Sequence, residues 1–139
     1  MRVLFDTDRV LDLVLDRDPF VEAATARFTL HEEGRITAYI SGITMVNVFY
    51  ITRKAKGITN ARKAVEELLA SLNITPLDQL VLENAYRFAF TDYEDAVQHA
   101  CALASGLEAI ITRNLADYKN AILPVFTPTG FLNQLIPPE

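Results

Sequence analysis

Short apolar runs alternate along the chain with longer stretches in which apolar residues recur every three or four positions. Val3-Leu4-Phe5 is an apolar run that stops at Asp6, as a buried parallel strand does. From Thr7, the residues Val10, Leu11, Val14 and Leu15 fall at helical spacing. Asp18-Pro19 offers a cap and a first-turn proline to a second helix carrying Phe20, Ala23, Ala24, Arg27 and Phe28, which stops at Gly34. Residues 36–40 predict a second strand and 44–56 a third helix ending at Gly57. A fourth helix, capped by Asn60, buries Ala61, Val65, Leu68 and Leu69. Residues 73–77 read as a short strand, which Pro76 places near a sheet edge. Helices over 78–90 and 94–105 follow, the second closed by Gly106. Ala109-Ile110-Ile111-Thr112 is a buried strand, 124–126 a weaker one, and 128–135 a last helical segment.

The order β-αα-β-αα-β-αα-β-β-α predicts one α/β domain over 1–139, a mostly parallel sheet with helices on both faces. Ligands of such sheets bind beyond the carboxyl ends of the strands, where the strand order reverses. Asp6 follows the first strand, Ser41 and Thr44 the second, and Arg113 and Asn114 the fourth, so these residues are expected to converge. Asp95 shares a helix side with His99, apart from the inward set Ala96, Val97, Ala100, Cys101 and Ala104, and Asp117 comes soon after Thr112. Three carboxylates gathered at one rim suit Mg²⁺ or Mn²⁺, hard ions that take oxygen ligands and keep waters able to act as nucleophiles. Taken singly, Asp6 and Asp95 also read as helix caps and Asp117 as a turn residue.

Composition narrows the partners. Of 139 residues, 50% are apolar and 22% charged, which excludes disorder. No apolar run approaches the ~18 residues of a membrane span, and the opening segment is too short for a signal peptide. The single Cys101 fits a reducing cytoplasm and reads as a small core residue. With 13 Lys+Arg against 18 Asp+Glu, a net −5, overall charge disfavours nucleic acid, so a polyanion needs a local basic patch or a bridging metal. Arg53, Lys54, Lys56, Arg62 and Lys63 concentrate positive charge, with Arg9, Arg17 and Arg113 near the rim, as candidate RNA-phosphate contacts. The alternative is a solvated turn with cations near a helix C-terminus. His99 reads as a surface histidine, and with His31 distant and one cysteine no zinc set assembles. Tyr39, Phe49, Tyr50, Tyr86, Phe88, Phe90 and Tyr93 read as core or dimer surface.

Four segments together resemble the PIN domain family, which includes the VapC-type ribonuclease toxins of bacterial toxin–antitoxin pairs. They are Val3-Leu4-Phe5-Asp6-Thr7-Asp8-Arg9-Val10-Leu11-Asp12-Leu13, Ile40-Ser41-Gly42-Ile43-Thr44-Met45-Val46-Asn47, Tyr93-Glu94-Asp95-Ala96-Val97-Gln98 and Ile110-Ile111-Thr112-Arg113-Asn114-Leu115-Ala116-Asp117-Tyr118. The resemblance covers essentially the whole chain. It implies a three-layer α/β/α sandwich, a Mg²⁺ or Mn²⁺ site of about four acids, RNA as substrate, an antitoxin protein as partner, and a homodimer as a common assembly. By position, Asp6, Asp95 and Asp117 match the family's acids. Asn47 stands where the family most often has Glu, Asn114 where many members have Asp, and Asp8 where Asn is frequent.

The implied reaction is in-line attack of water on an RNA phosphodiester, with Asp6, Asp95 and Asp117 holding the dication and Asn47 and Asn114 orienting waters. Ser41, Thr44 and Thr112 are candidate supports for the carboxylates, with helix capping and strand-end bonding as the alternative. Asn47 can ligate weakly through its carbonyl oxygen but cannot serve as a general base, a role for which Asp8 or Asp92 are substitutes. A catalytically weakened PIN domain that binds RNA or protein is therefore the second reading. A third is an aspartyl-nucleophile phosphatase, because Asp6-Thr7-Asp8-Arg9-Val10 fits a short D-x-D-x-V pattern.

Overall fold

The computed structural model describes residues 1–16 and 21–135. Strand β1 (Arg2–Phe5) leads through helices α1 (Thr7–Val14) and α2 (Val21–Glu32) to β2 (Thr37–Ser41). Helices α3 (Gly42–Lys56) and α4 (Ile58–Ser71) carry the chain to β3 (Asn73–Thr75). Helices α5 (Gln79–Arg87) and α6 (Tyr93–Ala104) return it to β4 (Ala109–Ile111), and a 3₁₀ turn, Leu115–Tyr118, precedes β5 (Val125–Phe126) and α7 (Pro128–Leu135). Arg17, the Asp18-Pro19 cap and Phe20 lie outside the described residues, as do the side chains of Ala23, Ala24, Arg27 and Phe28. No described helix is long and apolar enough to cross a membrane.

All four strand pairings are parallel, in the order β3-β2-β1-β4-β5. The order confirms the α/β/α reading and puts the proline-flanked β3 at an edge. Alternate residues of the strands feed opposite layers. Val3, Phe5, Ala38, Ile40, Ala109 and Ile111 pack with Val10, Leu11, Val48, Leu68 and Phe131 on one face. Leu4 and Ile110 meet Ala102, Leu107 and Tyr118 on the other. Helices α5 and α6 share a further apolar seam of Val81, Ala85, Val97 and Cys101. The chain runs outward from β1 through β2 to β3 and resumes on its other side with β4 and β5. The carboxyl ends of β1 and β4 are thus the reversal point, where a crevice opens.

Helix starts differ from the sequence expectation at three places. Ser41, not a later residue, caps α3, its hydroxyl accepting from the Thr44 N–H at 3.3 Å. Gly57, at φ +85, closes α3 and opens α4 in a conformation that penalises any side chain, so Asn60 is not the cap. Its amide donates back to the Lys56 carbonyl at 2.8 Å. Asp92 caps α6 by accepting from the Asp95 N–H at 3.1 Å, which leaves the Asp95 carboxylate free of that duty.

Candidate active site

Asp6 ends β1 and begins α1, and both roles fix its carboxylate. Its Oδ1 accepts from the Arg9 N–H at 3.1 Å, a helix cap, and its Oδ2 accepts from the Thr112 hydroxyl at the end of β4, 2.5 Å away. The expected support from Thr112 is therefore direct, and the capping alternative for Asp6 holds at the same time. Asn114 assists through its backbone, its N–H donating to the Thr112 hydroxyl at 3.1 Å. Its side chain is exposed and does not line the crevice, so the water-orienting role expected of it has no structural support.

The crevice is a cleft of about 380 Å³ lined by Asp6, Thr7, Asp8, Leu11, Asn47, Ile51, Asp92, Glu94, Asp95, Gln98 and Asp117. Six of these residues carry carboxylates, and none is a lysine or arginine. Asp6, Asp95 and Asp117 line it together, as expected from the sequence, and Asn47, Asp8 and Asp92 line it with them. They arrive from β1–α1, α3, the start of α6 and the 3₁₀ turn after β4.

Burial first, and neighbouring carboxylates second, raise two members above their ordinary value. Burial pushes Asp6 up to about 6, against the pull of the Thr112 hydrogen bond. Burial also raises Asp95, to about 7, and repulsion from Asp92, Asp117, Asp6 and Glu94 adds to it. Tyr118 lies buried beside Asp95, and its phenol is pushed far above its ordinary value, first by burial.

Thr7, Glu94 and Gln98 are cleft residues that the sequence reading missed. Thr7 Oγ1 donates to Glu94 Oε1 at 3.2 Å, and Asn47 Nδ2 donates to the same oxygen at 2.9 Å. Gln98 Nε2 donates to Thr7 Oγ1 at 3.1 Å and to Thr44 Oγ1 at 2.8 Å. Thr44 in turn bonds Ser41 Oγ at 3.2 Å and Thr7 Oγ1 at 3.0 Å. Ser41 and Thr44 thus support the acids from beneath, through Thr7, and touch none of them directly. One signal for Gln98 and His99 was available: both interrupt a run, Ala96 to Ala102, that otherwise holds no polar residue.

Several expected residues lie elsewhere. Arg9 is 1% exposed, too buried to meet RNA. Its guanidinium pairs with buried Asp12 and stands 3.9 Å from Asp6. Arg113 reaches Asp12 at 3.5 Å and Asp8 at 3.8 Å. Burial opposes the Arg9 charge, and Asp12 first, then Asp6, sustain it. Arg53, Lys54 and Lys56 are exposed in the last turn of α3, and none lines the cleft. Lys56 borders a separate groove of about 430 Å³, with Lys63 and Glu67. His99 is not on the surface. It is fully buried, stacked on Phe90 and edge-on to Phe88, its Nε2 accepting from the Ile122 N–H at 3.0 Å. Burial lowers its proton affinity, so it sits there neutral. His31 is also structural, its Nδ1 accepting from the Ala38 N–H at 3.0 Å.

Among the described residues, no three His, Cys, Asp or Glu side chains are close enough to cage an ion by themselves. Mg²⁺ does not need such a cage, since it is held by one or two carboxylates and keeps its waters. The donor set fits it on chemistry: every candidate ligand is an oxygen, and no cationic side chain faces in. Gln98, 1% exposed, also keeps its Oε1 without a partner at the cleft wall.

The fold is similar to that of proteins of known structure. A toxin–antitoxin complex from Klebsiella pneumoniae is 28% identical, with a TM-score of 0.67 over 91% of this chain and 97% of that one. VapBC2 from Rickettsia felis, solved bound to a DNA fragment from its promoter, is 14% identical, with a TM-score of 0.73 over 91% and 98% of the two chains. VapC20 of Mycobacterium tuberculosis, described as a Sarcin-Ricin loop cleaving toxin, is 15% identical, with a TM-score of 0.64 over 78% and 86%. No curated protein matches the chain at a significant level. The family profile described as PIN domain matches residues 2–116, a span holding the whole sheet except β5 and every cleft residue but Asp117; the chain belongs to the PIN domain family.

Proposed function

We propose that the chain is a divalent-metal-dependent endoribonuclease acting as the toxin of a toxin–antitoxin pair. The observation that carries this reading is the convergence of six carboxylates on one cleft at the sheet's reversal point, with no lysine or arginine lining it. Membership in the PIN family and the likeness to toxins, one of them an RNA-cleaving protein, support it. A bound Mg²⁺ or Mn²⁺ would neutralise the substrate phosphate and lower the pKa of an attacking water.

The side chains divide the remaining work. Asp6, Asp95 and Asp117 line the cleft as candidate ligands, one or two of which would hold the cation directly and the rest through its waters, and Thr112 fixes the rotamer of Asp6. Asp92 holds the start of α6 and thereby the position of Asp95. Asp8, tethered to Arg113, borders the same cleft. The exposed Arg53, Lys54 and Lys56 are left as phosphate contacts outside the cleft, where they would hold a polyanion that the net charge repels. The aspartyl-nucleophile alternative is disfavoured, because it rests on the short D-x-D-x-V pattern alone while the profile described as PIN domain matches residues 2–116.

The test is RNA cleavage with and without Mn²⁺ or Mg²⁺, repeated on Asp6→Asn. Cleavage that requires the cation and Asp6 supports the reading; cleavage indifferent to both removes it. Co-expression with the product of the adjoining reading frame should relieve any growth arrest the chain causes. Arrest unrelieved by that product would remove the antitoxin half of the proposal.

A further inference from the structure

Glu94 is held in the cleft without being neutralised. Asn47 and Thr7 both donate to its Oε1, and its Oε2 bonds to nothing in the protein among the described residues. The donors are themselves oriented. The Gln98 amide gives its hydrogens to Thr7 and Thr44, and the Thr7 hydroxyl donates in turn to Glu94. Two neutral donors fix where a carboxylate points without supplying a counter-charge. No described lysine or arginine pairs with it. On the neighbouring turn of α6, the buried Gln98 Oε1 is an acceptor with nothing to accept from. Such an oxygen is costly unless a donor arrives. A dication in the cleft would supply the counter-charge that Glu94 lacks beside the unpartnered Gln98 amide oxygen.

We propose that Glu94 is a further carboxylate of the cation site, and that Asn47 is a positioning residue that holds it there. This inference rests on the metal-dependent reading above. It assigns the charge that Asn47 lacks to a residue 47 positions later, across one 2.9 Å hydrogen bond.

The experiment measures Mn²⁺ binding by electron paramagnetic resonance on the purified full chain, without RNA. Glu94→Gln should weaken binding at least about tenfold while circular dichroism stays unchanged. Asn47→Leu should weaken it less. Glu94→Gln combined with Asn47→Glu, which moves the carboxylate to the other end of the hydrogen bond, should recover most of the loss, a rescue that a purely structural role for Glu94 would not give. Folded Glu94→Gln that binds Mn²⁺ as tightly as the unaltered chain overturns the inference, as does tighter binding by Asn47→Glu alone with no effect of Glu94→Gln. The two failures separate cleanly. If Glu94→Gln is silent but Asp6→Asn abolishes binding, only the role of Glu94 is lost; if the unaltered chain binds no Mn²⁺, the metal-dependent reading falls as well.

Discussion

Helix α1 presents carboxylates to two different surroundings within two turns. Asp12, fully buried, meets the guanidinium of Arg9 and, at 3.5 Å, that of Arg113. Asp6 and Asp8 border the cleft, where four further carboxylates gather and no lysine or arginine lines the wall. Behind the cleft, Asp12 alone is met by two guanidiniums; around it, six carboxylates share Arg9, 3.9 Å from Asp6, and Arg113, 3.8 Å from Asp8, and the excess negative charge calls for a cation from outside. The same residue type is thus a structural strut in one place and a ligand-seeking group a few residues away. The balance of counter-charge distinguishes them.

Removing Asp12 should have the largest effect. Asp12→Asn takes from buried Arg9 its nearest carboxylate, leaving Asp6 at 3.9 Å, and is expected to cost about 3 kcal/mol of stability, read by urea denaturation with and without Mn²⁺. An unchanged midpoint would mean that Arg9 is held by something else. On the cleft side, Asp95→Asn should lower RNA cleavage on the order of 100-fold while leaving stability at pH 7 no worse, since it relieves repulsion. A variant that unfolds more readily instead would erase the contrast between the two regions. Thr112→Val keeps the shape but frees Asp6, and should weaken Mn²⁺ binding by about 10–100-fold in calorimetric titration.

The smallest expected effect is on pH dependence, and it has a definite sign. Asp6 and Asp95 bind protons more tightly in the folded chain, at about 6 and 7, than at their ordinary value of 3.8. Between these limits the folded state carries more protons than the unfolded one, so stability falls as pH rises from about 4 to about 7. Thermal melts across that range, without added cation, should show the fall, and saturating Mn²⁺ should flatten it. A stability that climbs with pH would contradict the charge imbalance.

Much of this organisation is legible in the sequence, for a physical reason. A parallel strand buried on both faces is a continuous apolar run, so Asp6 straight after Phe5 and Thr112 straight after Ile111 announce the rim of the sheet. Asp95 and Asp117 follow from where their elements begin and end, whereas Asn47 is legible only through the family resemblance and the approach of Asp8 and Asp92 not at all. Arg9 and His99 were misplaced because helical periodicity tells which residues share a side, not what that side faces. Helix α6 has no wet flank along Ala96–Ala102, being covered by the sheet and α5, so a polar residue there must find its partner inside. Arg9 is similar: its partner, Asp12, lies one turn on, a pairing that looks like an ordinary surface pair in one dimension. Glu94 escaped notice because its role depends on Asn47, and nothing local in either segment links them.

The wall of the cleft is drawn from residues 6–11, 47–51, 92–98 and 117, and the strand that carries Asp6 sits in the middle of the sheet, between partners made early and late. A polypeptide emerging from the ribosome therefore holds no complete set of these acids until Asp117 has been added and β4 has returned to pair with β1. The order of the strands delays the assembly of the cleft: the carboxylates that follow β1 wait for residues made more than a hundred positions later.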